Sequence, residues 1–347
     1  MKAVTFDRHG GVEVLQYRDD LPIPDISPND VLVRIKAAAM NYNDLWARKG
    51  LPGMDFILPH ISGTDGAGVV EAVGSEVTHV AVGDEVMING AFSCGHCTEC
   101  NRGIPMFCEK FEIWGFQTGP NDGSEAEYGR VPARNVVPKP KNLSWEGAAA
   151  IGSVLVTVWR MLVVRAKMQP GDYVLVWGAT GGLGSVAIQL CKAFGAKAIA
   201  IAGSDEKCRF ATELGAELAI NRNRQRINRE VMKITNRRGV DIVLEHSGAE
   251  TWETSTHCLK WGGTIVTCGA TTGFKAPLDI RFLWNKQQNY LGSHMGSTAE
   301  LVDALRFVEN GQIEPVIMEV LPLEDIARGH EILESGDVRG KIVLLPE

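Results

Sequence analysis

Two groups of residues in this sequence have the types and the spacing for chemistry. The first is a C-x2-C-x2-C-x7-C pattern within residues 91–110, formed by Cys94, Cys97, Cys100 and Cys108. Four thiolates at this spacing suit a tetrahedral zinc ion. Because four protein ligands close the coordination shell, no position is left for a substrate or a water molecule. The pattern therefore predicts one structural Zn²⁺ per chain, which holds a lobe and takes no part in the reaction.

The second group is a run of glycines between an apolar strand and an amphipathic helix. The segment "YVLVWGA" leads directly into "TGGLGSVAIQLCKAFGA". Glycine at such a turn lets the backbone approach a pyrophosphate, and the helix N-terminus offers unpaired N–H groups with a partial positive charge. A tight turn that binds nothing is the alternative. We predict a dinucleotide site formed by Gly178, Ala179, Thr180, Gly181, Gly182 and Leu183.

The end of the next strand favours NADPH over NADH. NAD sites usually carry Asp or Glu at this strand end to accept from the ribose hydroxyls, whereas here the apolar run ends at Ala202 and Gly203. The acids that follow belong to the first turn of a helix, where acidic side chains are favoured by the helix dipole alone. We therefore expect Ser204, Lys207 and Arg222 to contact the 2′-phosphate of NADPH.

The elements around these groups indicate an α/β fold in two domains. Residues 1–150 contain short branched-aliphatic runs broken by Gly, Pro and Asp turns, which predicts a β-rich domain. From about residue 150, similar runs alternate with helical windows, which is typical of a doubly wound parallel sheet. The final elements could complete this sheet or return to the first domain.

Composition narrows the class of protein. Its 347 residues are 45% hydrophobic and 22% charged, as in ordinary globular proteins. A formal net charge of −7 gives no electrostatic footprint for nucleic acid. The chain starts without the apolar core of a secretory signal, and its most apolar stretch, residues 148–164, predicts a buried helix and no membrane partner. Eight cysteines without a signal suggest a reducing compartment, so we expect a cytoplasmic protein.

Taken together, these motifs resemble the medium-chain dehydrogenase/reductase family over essentially the whole chain. The resemblance rests on a β-rich front domain with a four-cysteine lobe, followed by "GATGGLG" in a nucleotide domain. It implies a GroES-like domain over residues 1–150 and about 292–347, and a Rossmann domain over 151–291. It also implies that Thr157 and the Gly269–Ala270 loop flank the nicotinamide, and that the protein forms a homodimer or homotetramer.

The sequence departs from the family at the catalytic zinc. Zinc-dependent members carry a Cys with an Asp three residues later, then a Gly-His-Glu turn, then a further Cys. Here Asn41 stands at the first Cys, with Asp44 retained, and Thr64 and Asp65 replace His and Glu. The third segment, "IGSVLVTVW", contains no Cys. Since Asn, Thr and Asp cannot replace a Cys/His shell with comparable affinity, we expect no catalytic metal.

Several segments are similar to the zinc-free quinone oxidoreductase and crotonyl-CoA reductase branch, among them "IWGF", "EHSG" and "FLWNKQQNYLGSHM". In carboxylating members of that branch, an Asn, a Phe–Glu pair and a His surround the bound carbon dioxide. Asn41, Phe116 and His246 match this set, but Gln117 stands at the Glu position. The resemblance therefore implies C=C reduction and argues against carboxylation.

Three side chains are candidates for catalysis. His246, just past the fourth strand of the Rossmann domain, could neighbour the nicotinamide and donate a proton near neutral pH. Asn41 and Tyr42 could polarise a substrate carbonyl as neutral donors. The alternatives are a hydrogen-bonded structural His at a strand end and core packing for Asn41 and Tyr42.

We therefore expect an NADPH-dependent reductase that transfers hydride to the activated C=C bond of an enoyl thioester, an enone or a quinone. Two alternatives remain at this point. One is a zinc-type alcohol dehydrogenase with non-standard ligands for a second metal, and the other is a non-catalytic NADPH-binding protein.

Overall fold

The computed structural model describes residues 1–116 and 122–346. Gln117, on which the argument against carboxylation rests, lies outside the described residues. The chain divides into two compact units. The boundaries predicted from the sequence are at 150 and about 292. Unit 1 comprises Met1–Ser153, Gly296–Glu309 and Pro315–Glu347, and unit 2 comprises Val154–Met295 and Asn310–Glu314.

The front part of unit 1 is β-rich. Its strands are β1 (Ala3–Thr5), β2 (Gln16–Arg18), β3 (Asp30–Ala39), β4 (Asp65–Val73), β5 (Glu85–Ile88), β6 (Ala91–Phe92), β7 (Glu112–Ile113), β8 (Tyr128–Pro132) and β9 (Val136–Pro138). Its helices are α1 (Tyr42–Lys49), α2 (Thr98–Asn101) and α3 (Trp145–Trp159), the last of which runs on into unit 2. Strand β3 is the centre of the main sheet because its apolar side chains are buried, and it pairs with both β4 and β8.

Unit 2 alternates strand and helix, as the sequence predicts. Its elements are β10 (Tyr173–Val176), α4 (Gly182–Ala193), β11 (Lys197–Ala202), α5 (Asp205–Glu213), β12 (Leu218–Asn221), α6 (Ile227–Ile234), β13 (Val240–Glu245), α7 (Trp252–Cys258), β14 (Leu259–Thr267), α8 (Arg281–Trp284) and β15 (Asn289–Gly292). All pairings are parallel, in the order β12-β11-β10-β13-β14-β15. The prediction of a doubly wound sheet is confirmed. The order reverses between β10 and β13, and the carboxyl edge at such a point is where this fold binds ligands.

The tail returns to the sheet of unit 1. It comprises α9 (Thr298–Glu309), β16 (Ile317–Pro322), α10 (Ile326–Ser335) and β17 (Lys341–Leu345). Strand β17 pairs antiparallel with β3 and parallel with β16, so the last residues of the chain lie beside its first long strand. This placement brings Lys341, at the start of β17, into the polar group of residues described below.

The apolar stretch that contains α3 forms one continuous helix. Beyond α3 the chain keeps turning as a π-helical segment, Arg160–Arg165. By length and composition alone the 21 residues Trp145–Arg165 could cross a membrane, but 83% of their most apolar window is buried inside the protein. A core helix has this character, because apolar side chains on all of its faces are covered by protein.

Candidate functional site

The turn after β10 has two positions, Gly178 and Gly184, where only glycine fits. Gly178 has a φ of +53°, and a Cβ at this position would lie 2.7 Å from Cε1 of His246. A Cβ on Gly184, in the first turn of α4, would lie 2.3 Å from the carbonyl oxygen of Gly178. The backbone of the turn is therefore closely packed on its protein side. Gly181, the N-cap of α4, has no neighbour nearer than 3.5 Å to its own Cβ position, which leaves room for a phosphate.

His246 follows β13 and lies against this turn. Its Nε2 is 3.0 Å from the carbonyl oxygen of Trp177, so Nε2 carries the hydrogen and donates it there. Burial lowers the pKa of His246, and the neutral ring is favoured near pH 7. The predicted role as a proton donor is thus weakened, because the Nε2 hydrogen already has a protein acceptor. The carbonyl oxygen of His246 accepts from Thr271 N at 3.3 Å, which brings the Gly269–Ala270 loop beside it.

Glu245 is a residue of this site that the sequence analysis did not identify. Its side chain is fully buried at the end of β13 and accepts four hydrogen bonds. The donors are Ser247 N (2.7 Å), Gly248 N (3.1 Å), Thr251 Oγ1 (2.9 Å) and Ser255 Oγ (2.8 Å). The carboxylate therefore fixes the loop that carries His246. The available signal was an acid at the end of an otherwise apolar strand, "GVDIVLEHSG".

Ser204, Arg222 and one acid, Asp205, lie at the end of β11. The Oγ of Ser204 accepts from Lys207 N at 3.2 Å and caps α5. The Asp205 carboxylate, the nearest acid, is held by Asn221 Nδ2 at 2.5 Å and by the guanidinium of Arg224. Arg222 lies close by: its Nε would be 3.9 Å from a Cβ on Gly203. The structure thus brings Ser204 and Arg222 to the same strand end.

Thr157 and Thr180 also belong to the predicted cofactor set. Both residues lie in unit 2 and are buried. Thr157 lies in α3, with its Oγ1 3.9 Å from the sulfur of Met295. Thr180 lies within the glycine turn itself, between Ala179 and Gly181. Their assignment to the nicotinamide and the phosphates stays a prediction.

The four cysteines of the lobe converge. Their sulfur atoms all lie within 4.8 Å of one another, and Cys94 Sγ is 4.0 Å from Cys100 Sγ. Tetrahedral zinc with Zn–S bonds of about 2.3 Å sets its sulfurs about 3.8 Å apart, so the donor set fits a zinc ion. Cys97 N donates to Cys94 Sγ at 3.3 Å, as backbone amides do around thiolates. Nearby His96 is exposed and its Nδ1 is bonded to a backbone carbonyl.

No second metal-binding group emerges in residues 1–116 and 122–346. Only the four cysteines there bring three or more Cys, His, Asp or Glu ligand atoms close enough for one ion. Thr64 Oγ1 donates to the carbonyl oxygen of Trp114 at 3.1 Å, so this side chain is engaged elsewhere.

Asn41 and Asp65 belong instead to a buried polar group in unit 1. Lys341 Nζ lies 2.5 Å from Asn41 Oδ1 and 3.0 Å from Asp65 Oδ2. Asn41 Nδ2 donates to Asp65 Oδ2 at 2.9 Å and to the carbonyl oxygen of Ala39 at 3.3 Å. Both amide hydrogens of Asn41 therefore have protein acceptors. The predicted donation from Asn41 to a substrate carbonyl lacks a free hydrogen.

Tyr42 opens α1 and is 42% exposed. Its ring packs edge-on against Trp46, which in turn contacts Phe116. Asp44 is fully buried in the same helix and accepts from Asn41 N at 2.6 Å, so it has the capping role that its position allows. Of the two predicted neutral donors in this segment, Tyr42 alone presents an exposed side chain.

Comparison with known proteins agrees with the fold described above. A family model for the alcohol dehydrogenase GroES-like domain matches residues 27–141, and one for zinc-binding dehydrogenase matches residues 182–310. The chain is 36% identical to the crotonyl-CoA carboxylase/reductase of Cereibacter sphaeroides, over 94% of this chain and 83% of that protein.

Solved structures extend the likeness to the whole chain. An NAD-dependent alcohol dehydrogenase superposes with a TM-score of 0.94 and 44% identity, covering 99% of both chains. The crotonyl-CoA carboxylase/reductase AntE in complex with NADP superposes with a TM-score of 0.93 and 30% identity, covering 99% of this chain and 94% of that one. The predicted resemblance is confirmed, and the chain is an oxidoreductase of the medium-chain dehydrogenase/reductase family.

Proposed function

We propose that this protein is an NADPH-dependent reductase of the activated C=C bond in enoyl thioesters, enones or quinones, with no catalytic metal. The observation that carries the proposal is the hydrogen bonding at the positions where zinc-dependent members hold their ion. Asn41 and Asp65 are bonded to each other and to Lys341, and Thr64 is bonded to a backbone carbonyl. The likeness to a crotonyl-CoA carboxylase/reductase supports the same reaction class.

The residues present fit NADPH and one structural zinc ion. Gly178 and Gly184 allow the close packing of the turn, Gly181 leaves its backbone open to a pyrophosphate, and Arg222 supplies a cation for the 2′-phosphate. The four sulfurs of the lobe supply the zinc ligands. Bound NADPH would contribute the hydride of the reaction, and water would supply the proton that the resulting enolate takes up.

The protein's own side chains would orient and polarise the substrate. Tyr42 is 42% exposed, and its hydroxyl could donate to a thioester or ketone carbonyl. His246, kept neutral by burial and bonded to the Trp177 carbonyl, would shape the nicotinamide side of the turn. Asn41 is the N-cap of α1 and holds the start of this helix, so its role is positioning. These assignments leave Tyr42 as the one neutral donor that polarises the substrate carbonyl.

The direct test measures NADPH oxidation with crotonyl-CoA, acryloyl-CoA and 1,4-benzoquinone. We expect turnover with at least one of these acceptors, and a Tyr42→Phe variant should lower kcat by about tenfold or more. Oxidation of NADPH by none of them contradicts the proposal. Tight NADPH binding without turnover on a broad carbonyl panel would favour the non-catalytic alternative.

Cofactor preference has its own test. Arg222→Ala should raise the dissociation constant for NADPH by about tenfold and leave that for NADH unchanged, because NADH lacks the 2′-phosphate that Arg222 would bind. Arg226→Ala, which removes an exposed arginine four residues further along the chain, is the matched control. Equal effects on NADH and NADPH would contradict the assignment of Arg222.

A second candidate function is favoured by one observation, the 44% identity to an NAD-dependent alcohol dehydrogenase. Metal analysis separates the two candidates. One zinc per chain fits the reductase, whereas a second metal and NAD-dependent alcohol oxidation fit the dehydrogenase.

The substrate class implies a small-molecule partner, and we further propose a cytoplasmic homo-oligomer. Unit 2 carries large apolar side chains at its surface in β14 and in the segment between β14 and the edge strand β15. They are Trp261, Phe274, Ile280 and Trp284, each at least 65% exposed. An exposed apolar segment beside an open sheet edge is typical of a subunit contact.

A further inference from the structure

Lys341 carries a buried positive charge that the sequence motifs do not announce. Its side chain is 5% exposed, and its ammonium contacts the Asp65 carboxylate and the Asn41 amide oxygen at 3.0 Å and 2.5 Å. A buried ammonium is tolerated only where it is paired and hydrogen-bonded, because its desolvation is costly. These contacts therefore fix its position.

The Asp65 carboxylate is saturated around this cation. It accepts four hydrogen bonds, one of them from the ammonium. The donors are Ser153 N (2.7 Å), Ser153 Oγ (2.7 Å), Asn41 Nδ2 (2.9 Å) and Lys341 Nζ (3.0 Å). Asp65 is 1% exposed, so no bulk water competes for it. The group is closed: one cation, one anion and two neutral side chains satisfy one another.

The three neutral or anionic members come from the segments where zinc-dependent members carry ligands. Asn41 belongs to "MNYNDLW", Asp65 to "SGTDGAG" and Ser153 to "IGSVLVTVW". Asn41 Oδ1 and Asp65 Oδ2 contact an ammonium supplied by the far end of the chain, 276 residues from Asp65, and Ser153 bonds to the same two side chains. We propose that Lys341 is the resident cation of this site, in place of a metal ion, and that it positions Asn41 and the start of α1.

The consequence for catalysis rests on the proposed reductase function. Asn41 is the N-cap of α1, and Asp44 bonds back to its backbone N–H at 2.6 Å. Holding the Asn41 side chain therefore holds the first turn of α1, where Tyr42 stands. Lys341 touches neither cofactor nor substrate in this scheme, so its effect on turnover passes through Asn41.

The experiment is a charge cycle on the full-length protein. Lys341→Met, Asp65→Asn and the double variant Lys341→Met/Asp65→Asn are compared with Lys341→Arg, and exposed Lys141→Met is the control. The readouts are the melting temperature, the NADPH dissociation constant, and kcat and KM with crotonyl-CoA. Melting temperature needs no substrate, so it tests the cation assignment even if the proposed function fails.

We expect Lys341→Met to lower the melting temperature, because it leaves the Asp65 charge buried and unpaired, and to lower kcat by more than about tenfold. The double variant should recover the melting temperature but not kcat, since Asn41 still lacks its cation. Lys341→Arg should retain part of kcat, and NADPH affinity should change less than about threefold throughout.

Two outcomes overturn the proposal. An unchanged melting temperature in Lys341→Met removes the cation assignment. Recovery of kcat together with the melting temperature in the double variant shows that Lys341 only balances charge and does not position Asn41. If none of the acceptors supports NADPH oxidation by the wild type, the reductase function fails. The melting temperatures alone then decide the cation assignment.

Discussion

At the scale of single residues, burial changes the chemistry of side chains that look ordinary in sequence. Asp44 can be read from sequence as a helix cap, and it does bond to Asn41 N. The structure adds that the carboxyl is fully buried, and burial raises the pKa of Asp44 to about 7. Sequence reports which group is present, whereas the surrounding protein sets its protonation.

The Asp44 pKa predicts a pH-dependent stability. An unfolded Asp loses its proton near pH 4, whereas folded Asp44 keeps it up to about pH 7. Between these values the unfolded state binds fewer protons, so stability falls as pH rises and then levels off. From about pH 4 to about pH 8, the free energy of unfolding should fall by roughly 2–4 kcal/mol less in Asp44→Asn than in the wild type, as measured by urea unfolding. The control is exposed Asp55→Asn; an equal slope in Asp44→Asn and wild type would contradict the assignment.

Gly178 gives a second prediction at this scale. An alanine there would be strained by the φ of +53° and would press its Cβ into His246. We expect Gly178→Ala to cost roughly 2 kcal/mol of stability and to weaken NADPH binding by about tenfold or more. Calorimetric titration measures the binding.

The control for Gly178 is Gly262→Ala. Gly262 has a similar φ of +68° but no atom within 4 Å of its Cβ position. It should show the cost of the backbone strain, about 1 kcal/mol, without the loss of NADPH binding. If both variants bind NADPH as the wild type does, the close packing of the turn is not what the cofactor requires.

At the scale of elements, we expect the order of the cysteine lobe to depend on a bound zinc ion. Its secondary structure is short: β6 and β7 pair over two residues each, and α2 has four residues. Such short elements do not hold a loop by themselves, because nucleating a helix or hairpin of this length costs more than its few hydrogen bonds return. The lobe could be predicted from sequence because all four ligands lie within fifteen residues.

Cys97→Ser tests this role. We expect the zinc content to fall from one per chain towards zero and the lobe to become sensitive to proteases, while the NADPH dissociation constant changes less than about twofold. Cys208→Ser, a lone cysteine of α5, is the control. A variant that loses NADPH binding together with its zinc would contradict a purely structural metal.

At the scale of the whole molecule, the order of strands decides which residues meet. The parallel sheet of unit 2 places the ends of β10, β11, β13 and β14 along one edge, so the glycine turn, Ser204, His246 and Gly269 share that edge. In unit 1, pairing of β17 with β3 carries Lys341 to Asn41 and Asp65. Both groups are products of topology and not of local sequence.

The exposed apolar segment of unit 2 predicts a homo-oligomer. We expect light scattering to give a dimer or tetramer mass, and Trp284→Ser to shift it towards the monomer, because Trp284 is 69% exposed. Phe107→Ser removes an exposed aromatic residue from the cysteine lobe and should leave the mass unchanged. A monomeric wild type would contradict the prediction.

Sequence alone determined what depends on nearby residues: the zinc lobe, the glycine turn, the alternation of strand and helix, and the absence of the usual Cys and His ligands. These follow from spacing and periodicity, which local hydrogen bonding and hydrophobic patterning enforce. Only the tertiary structure showed the partners of Asn41 and Lys341 and the complete burial of Glu245. Asn41 and Lys341 lie 300 residues apart along the chain and meet because β17 pairs with β3, and no local pattern encodes a pairing at that distance.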